Sequence, residues 1–211
     1  MLNGPVTTIR DATEADAAAC AEIYATYVQQ TYATFEEEPP DAEAMAARIA
    51  ASQRAHAWLV AESDGGGGGA GDEADRDGAA DAETTPAHRA GGPGTDDTRG
   101  RVVGFAYGST FKERVAYRYS CEVSIYLDGS ATGQGLGRRM YEVLLERLTA
   151  LGYRQAISTI ALPHPSSVGL HEAMGFELAG TLRAIGWKHG GWRDVAWYQR
   201  PLGEGAATPA E

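Results

Sequence analysis

The chain has 211 residues, 43% of them hydrophobic, and a formal net charge of −11. That length and apolar content suit a single domain with one good core, and the acidic balance argues against a nucleic-acid partner, whose phosphates need basic surface. No apolar run of about 18 residues and no basic-then-apolar leader is present, so neither a membrane span nor a secretory signal is read and the expected compartment is the cytoplasm.

In chain order, Thr13 followed by Asp16 forms a capping-box pattern. Cys20, Ile23, Tyr24 and Tyr27 then fall on one helical face. Asp41 to Arg54 predicts a second, Ala-rich helix with Met45 and Ile49 inward. Two strand-like runs follow, Trp58 to Glu62 and Arg101 to Tyr107, and the tract between them is of another kind. Residues 63–100 hold 11 of the 27 glycines, no aromatic side chain, and nine acids against three arginines. Such composition buries too little apolar area to offset ordering, so the tract is expected to be a disordered insertion, an enlarged turn between two pairing strands. Lengthening such a turn costs only about 2.6 kcal/mol of closure entropy.

A long strand is predicted from Tyr117 to Leu127. A Gly-rich turn follows, then a helix over about 137–151 with Met140, Val143, Leu144, Leu148 and Leu151 as its stripe. A buried-looking strand (Gln155 to Leu162), a short helix (Ser167 to Met174) and two late strands (Phe176 to Ile185, Trp192 to Gln199) complete the pattern, with residues 203–211 as a short flexible tail. The expectation is one mixed α/β domain. Cys20 and Cys121 read as buried small hydrophobes, and no metal-ligand cluster is seen.

The turn Thr132-Gly133-Gln134-Gly135-Leu136-Gly137 carries the first chemical signal. Its glycines permit positive φ and close approach, and it opens a helix whose first N–H groups are free for an anion. Arg138 and Arg139 oppose the helix dipole there, which makes sense beside a polyanion. A Rossmann site would need an acid about 20 residues on, and none stands in Tyr153 to Ile160. A plain flexible turn is the other reading. Along the preceding strand, alternation puts Arg118, Ser120, Glu122, Ser124 and Tyr126 on one face and Tyr119, Cys121, Val123, Ile125 and Leu127 on the other. A mid-strand carboxylate needs pairing or solvent, which makes Glu122 a candidate general base, or else the partner of Arg118 or Arg114.

Three separated segments carry a family resemblance. Glu122 to Met140 (EVSIYLDGSATGQGLGRRM) resembles the strand, pyrophosphate turn and helix of the GNAT superfamily of N-acetyltransferases. Leu162 to Phe176 (LPHPSSVGLHEAMGF) resembles its last coenzyme-binding helix. Leu182 to Gln199 (LRAIGWKHGGWRDVAWYQ), with Phe105 to Tyr107 and Phe111 to Tyr117 (FKERVAY), resembles the phosphinothricin acetyltransferase subgroup. The match spans residues 7–62 and 101–202. It implies a mostly antiparallel sheet, splayed at the coenzyme A site, with helices on both faces.

The resemblance also implies acetyl-CoA as co-substrate, the α-amine of a small amino acid or analogue as acceptor, and a homodimer. Backbone groups of Ile125, Tyr126 and Leu127 would bond the pantetheine arm. The turn from Thr132 to Gly137, with Arg138, His164 and Ser167, would hold the rest of the coenzyme. Glu122 would be the base and His171 the proton relay at the thioester, unless His171 is a core or capping histidine. Lys112, Arg114 and Tyr117, with Phe35 covering, would bind the acceptor, or else the first three form a solvated charge cluster. Thr132, His164 and His171 replace residues more usual in the superfamily, namely Gln or Arg, Asn, and Tyr. Another amine acceptor (a polyamine, an antibiotic or a protein) and a non-catalytic coenzyme-binding module are the competing functions.

Overall fold

The computed structural model describes residues 7–64 and 100–204. The described residues form one seven-stranded sheet with four helices and three short 3-10 turns. The strands are β1 (Thr7–Asp11), β2 (Trp58–Ser63), β3 (Arg101–Thr110), β4 (Ser120–Leu127), β5 (Gln155–Ala161), β6 (Glu177–Lys188) and β7 (Gly191–Pro201). They lie in the order β1-β2-β3-β4-β5-β7-β6, and every pairing is antiparallel except β4 with β5.

Two helices cover each face. α1 (Ala17–Gln30) and α2 (Ala42–Gln53) pack through Cys20, Ile23, Tyr24, Met45 and Ile49 against Trp58, Val60 and Phe105. α3 (Leu136–Ala150) and α4 (Pro165–Ala173) lie on the other side, where Met140, Tyr141, Leu144 and Leu148 meet Leu59, Ala106, Cys121 and Val123. The period-2 reading of β4 therefore holds: its odd residues face α3, and its even residues face α1 and α2. The Thr13 N–H and hydroxyl both donate to Asp16, at 2.7 and 3.0 Å, and the Arg10 guanidinium adds two bonds of 2.8 Å, which satisfies an otherwise buried carboxylate. Asp41 caps α2 by accepting from the Ala44 N–H at 2.8 Å.

Several expectations are corrected. β4 begins at Ser120, because Val115–Tyr117 closes into a 3-10 turn. Leu151 lies past the end of α3 and is exposed, while Tyr141, outside the predicted stripe, is fully buried. β1 was not read as an element, since five residues with little alternation give a weak pattern. The two strands flanking the Gly- and Asp-rich tract do pair, with Ser63 opposite Arg101. Residues 65–99 of that tract, and 205–211 of the expected tail, lie outside the described residues.

Candidate active site

β4 and β5 pair over three positions only, from Ser120 with Gln155 to Glu122 with Ile157. Beyond them β4 stays with β3 and β5 stays with β7, so the two strands part. The opening is a cleft of about 430 Å³ that runs from the Gly-rich turn past Ile125 and Leu127 to Ser124 and Thr159. The Arg154 and Gln155 N–H groups donate to the Tyr119 carbonyl, whereas the Asp128 N–H donates to Val103 of β3. Odd residues of β4 thus turn their backbone groups towards β5, and even ones towards β3. Ile125 presents its peptide groups to the opening. Those of Leu127 are already engaged: the Tyr27 hydroxyl donates to its carbonyl at 2.7 Å and accepts from its N–H at 3.2 Å. Tyr126 faces β3 with its backbone, and its ring packs edge-on against Tyr24 and Tyr27.

At the turn, Gly133 (φ 72°) and Gly135 (φ 75°) hold left-handed conformations that side chains resist. Gly135 caps α3 without a side-chain bond, so the first N–H groups of that helix are left to the cleft. A Cβ at Gly137 would lie 3.3 Å from Leu170, which seats α3 close to α4. Thr132 and Gln134 turn inward instead, donating to the Gly129 and Ser130 carbonyls at 2.8 and 2.7 Å. They brace the turn, and the grip left to the cleft is made of backbone N–H groups and Arg138. Arg138 lines the cleft and forms an exposed ion pair with Glu142. Arg139 does not join it, because its guanidinium donates to the Thr7 carbonyl at 2.8 Å.

Glu122 stands at the last paired position before the strands part. Its Oε1 accepts from the Thr159 hydroxyl at 2.7 Å. Neither arginine proposed as its partner reaches it in an ion pair: Arg118 lies 4.5 Å over the Tyr119 ring and donates to the Val115 carbonyl, and Arg114 leads the exposed 3-10 turn. The carboxylate is therefore held by a neutral hydroxyl, with acceptor capacity to spare.

His171 is buried at the other wall of the cleft. Its Nδ1 donates to the Ser167 carbonyl at 2.8 Å, which leaves Nε2 to accept from the Tyr141 hydroxyl at 3.0 Å. Burial lowers the His171 pKa, with His164 adding to the effect and the Ser167 bond opposing it. Burial likewise pushes the Tyr141 phenol up. Tyr141 was missed in the sequence, although a buried tyrosine hydroxyl must find a partner and a helix tyrosine next to Met140 was there to be asked about. His164 caps α4, its Nδ1 accepting from the Ser167 N–H at 3.3 Å, while both residues line the cleft.

Of the acceptor candidates, Lys112 and Tyr117 cluster around Phe111, and Arg114 leads the exposed 3-10 turn beside them in sequence. Lys112 lies 5.3 and 5.4 Å over the Phe111 and Trp197 rings, Tyr117 meets Phe111 edge-on, and Trp197 is the cross-strand neighbour of Thr159. A second cavity, of about 280 Å³, opens between α2 and β3. Tyr107, Ser109, Arg48 and Trp58 are among its walls, and Ser109 sits directly opposite Glu122. The sequence reading did not foresee it. Phe35 stands on the stretch that joins the two cavities, since Ala33 lines the cleft and Glu36 bonds Arg48 and Tyr24 of the second cavity.

A strand-turn-helix anion cradle beside a parted strand pair is the arrangement that the sequence resemblance implied, and comparison with known proteins decides the family. Residues 94–197 match the acetyltransferase (GNAT) domain model. The chain is 33% identical to a phosphinothricin N-acetyltransferase of Streptomyces viridochromogenes, over 91% of this chain and 86% of that one. The chain belongs to the GNAT acetyltransferases. A GNAT superfamily phosphinothricin acetyltransferase from Sinorhizobium meliloti, solved in complex with acetyl-CoA, superposes with a TM-score of 0.78 at 40% identity, covering 97% of this chain and 94% of its own. An L-methionine sulfoximine/L-methionine sulfone acetyltransferase of Pseudomonas paraeruginosa is 31% identical over 54% of this chain and 66% of its own. As a GNAT acetyltransferase, the chain keeps the mixed sheet with helices on both faces that the resemblance implied.

Proposed function

We propose that this GNAT protein transfers the acetyl group of acetyl-CoA to the α-amine of a small amino acid or analogue, of the phosphinothricin or methionine sulfoximine type. The observation that carries this reading is the position of Glu122. It lies where β4 and β5 part, with the cleft below the Gly-rich turn on one side and a second, smaller cavity one strand away.

In this reading the diphosphate rests on the turn from Gly133 to Gly137, the N-terminus of α3 and Arg138, and the pantetheine arm bonds Ile125. Glu122 takes one proton from the acceptor ammonium, and the amine attacks the thioester carbon directly. The Ile125 N–H is aimed to stabilise the oxygen as it becomes anionic. The C–S bond then breaks; the departing sulfur takes a proton from the Tyr141 hydroxyl, which the second nitrogen proton replaces, while His171 holds that hydroxyl in place. Lys112, Arg114 and Tyr117 supply the cationic and aromatic side of the acceptor site. Two buried, unpaired cysteines fit the cytoplasmic location we propose.

We also propose a homodimer. The strand β6 is an edge, and Leu178, Leu182, Ile185 and Trp187 on it, with Trp192 on β7, are exposed. A contiguous apolar edge of this kind is a liability unless covered.

The acceptor class is tested by a thiol-release screen with acetyl-CoA over amino acids, phosphinothricin, methionine sulfoximine, polyamines and aminoglycosides. Turnover confined to the amino-acid group is expected. Turnover with polyamines alone would replace this reading with another acceptor, and tight acetyl-CoA binding without turnover would favour a binding module.

A further inference from the structure

Phe35 belongs to the irregular stretch between α1 and α2, and an exposed phenylalanine in such a stretch usually wanders. Here it is held from below. Gly186 of β6 lies against the tip of the Phe35 ring, and a Cβ added at Gly186 would clash with its Cζ. The ring therefore rests on bare backbone, a seat that no other residue type provides.

Its two neighbours are held as well. Lys188, two residues further along β6, is 6% exposed, and its ammonium donates to the Thr34 carbonyl at 2.7 Å and the Glu36 carbonyl at 2.8 Å. The carbonyls on either side of Phe35 thus converge on one buried cation. A buried ammonium without a carboxylate bond is costly unless its protons are placed, and these two bonds place them. Burial lowers the Lys188 pKa, with Glu36 and Glu37 opposing that shift. Three further ties come from the same side of the sheet. His189 reaches the Thr31 carbonyl at 3.0 Å, Arg193 lies 4.2 Å over the Tyr32 ring, and the Tyr32 hydroxyl donates to the Pro163 carbonyl at 2.7 Å. From the opposite side, Glu36 takes a fork of two bonds from Arg48 at 2.8 and 2.9 Å.

We propose that Gly186 and Lys188 are positioning residues for the acceptor site: together they lock Phe35 in one place, on the stretch that runs from the coenzyme cleft to the second cavity. The inference rests on the proposed reading of Phe35 as the cover of the acceptor. It adds that the cover is built in before the acceptor arrives. The space beside Glu122 is then preset in size, which selects small amino-acid acceptors by exclusion and needs no closing motion. Neither residue touches the reacting atoms, so their effect must run through Phe35 and fall on the acceptor alone.

The test is a double-mutant cycle of Gly186→Ala and Phe35→Ala, with Lys188→Met as an independent way to release the loop. Acceptor KM, acetyl-CoA KM and kcat are measured for each variant, and thermal melts establish that each is folded. Gly186→Ala and Lys188→Met should each raise acceptor KM about tenfold, with kcat and acetyl-CoA KM within about twofold, because only acceptor binding is lost. In the Phe35→Ala background, Gly186→Ala should have no further effect, since the two act through one ring. Equal losses in the presence and absence of Phe35, or a matching rise in acetyl-CoA KM, would overturn the positioning role and show a general structural one. If Phe35→Ala itself leaves acceptor KM unchanged, the acceptor role of Phe35 falls, and this inference falls with it. A large Phe35→Ala effect with silent Gly186→Ala and Lys188→Met overturns the seat alone.

Discussion

Among single residues, His171 has the least freedom. Its two ring nitrogens are committed, one to the Ser167 carbonyl and one to the Tyr141 hydroxyl, and burial lowers its pKa. That arrangement has a pH signature. With the folded pKa below the ordinary value of about 6.5, the unfolded chain binds the proton more readily, so stability is complete above about pH 6.5 and declines as pH falls below it. His56, also lowered by burial, acts in the same direction. Asp16 enters further down: burial raises its pKa, but the Arg10 and Thr13 bonds outweigh that and leave it lowered, so its contribution is lost only as pH falls through the carboxylate range. Urea unfolding at pH 5.5 and 7.5 should show a smaller stability difference for His171→Gln than for the parent protein. An equal difference would mean that His171 titrates normally in the fold. Tyr141→Phe removes the hydroxyl without emptying the core, so it should lower kcat several-fold while the protein stays folded; a stopped assay with coenzyme A release checks this. Gly135→Ala, placed at φ 75°, should cost about 1 kcal/mol of stability in a denaturant titration.

At the scale of elements, β4 is where the function is built, and much of it was legible. The alternation that separates Glu122, Ser124 and Tyr126 from Val123, Ile125 and Leu127 follows from a period of two, and the turn glycines signal their positive φ by type. What the pattern could not show were partners far along the chain. Tyr27 read as one more residue on an apolar helical face, yet its hydroxyl satisfies both backbone groups of Leu127, taking the place of the β5 strand that has left. Thr159 drew no notice because its role depends on a carboxylate 37 residues away in sequence. Arg138 and Arg139 looked alike as a pair of cations, but consecutive helix residues point about 100° apart, and only one of them lines the cleft. Tyr27→Phe should leave the Leu127 N–H and C=O without their partner. Leu127 is half-buried, so that loss should lower stability by about 1 kcal/mol in a denaturant titration, and unchanged stability would deny Tyr27 that role.

For the whole molecule, the sheet joins its strands across long stretches of chain, and the pairing of Ser63 with Arg101 brings together the two residues that bound the acidic tract between β2 and β3. Replacing residues 65–99 with a short turn should therefore keep the fold. Shorter closure should raise stability by up to about 2.6 kcal/mol, and acceptor preference should not change. A changed preference would give the acidic tract a part in substrate choice. The order of the strands was not legible in the sequence, because β5 pairs with β7 before β6 and only a register, not a periodicity, records that. The exposed edge of β6 bears on the proposed assembly: the parent protein should sediment as a dimer in analytical ultracentrifugation, and Trp187→Asp combined with Trp192→Asp as a monomer.

The proposed reaction depends on Glu122 acting as the base where the strands part. The most direct measurement compares the parent protein and Glu122→Gln in coenzyme A release with phosphinothricin or methionine sulfoximine, with acetyl-CoA binding measured alongside. Glu122→Gln should bind acetyl-CoA as before and lose about 10²–10⁴-fold in kcat, the range for removing a positioned general base. Unchanged kcat in Glu122→Gln, with the same dependence on pH, would contradict it.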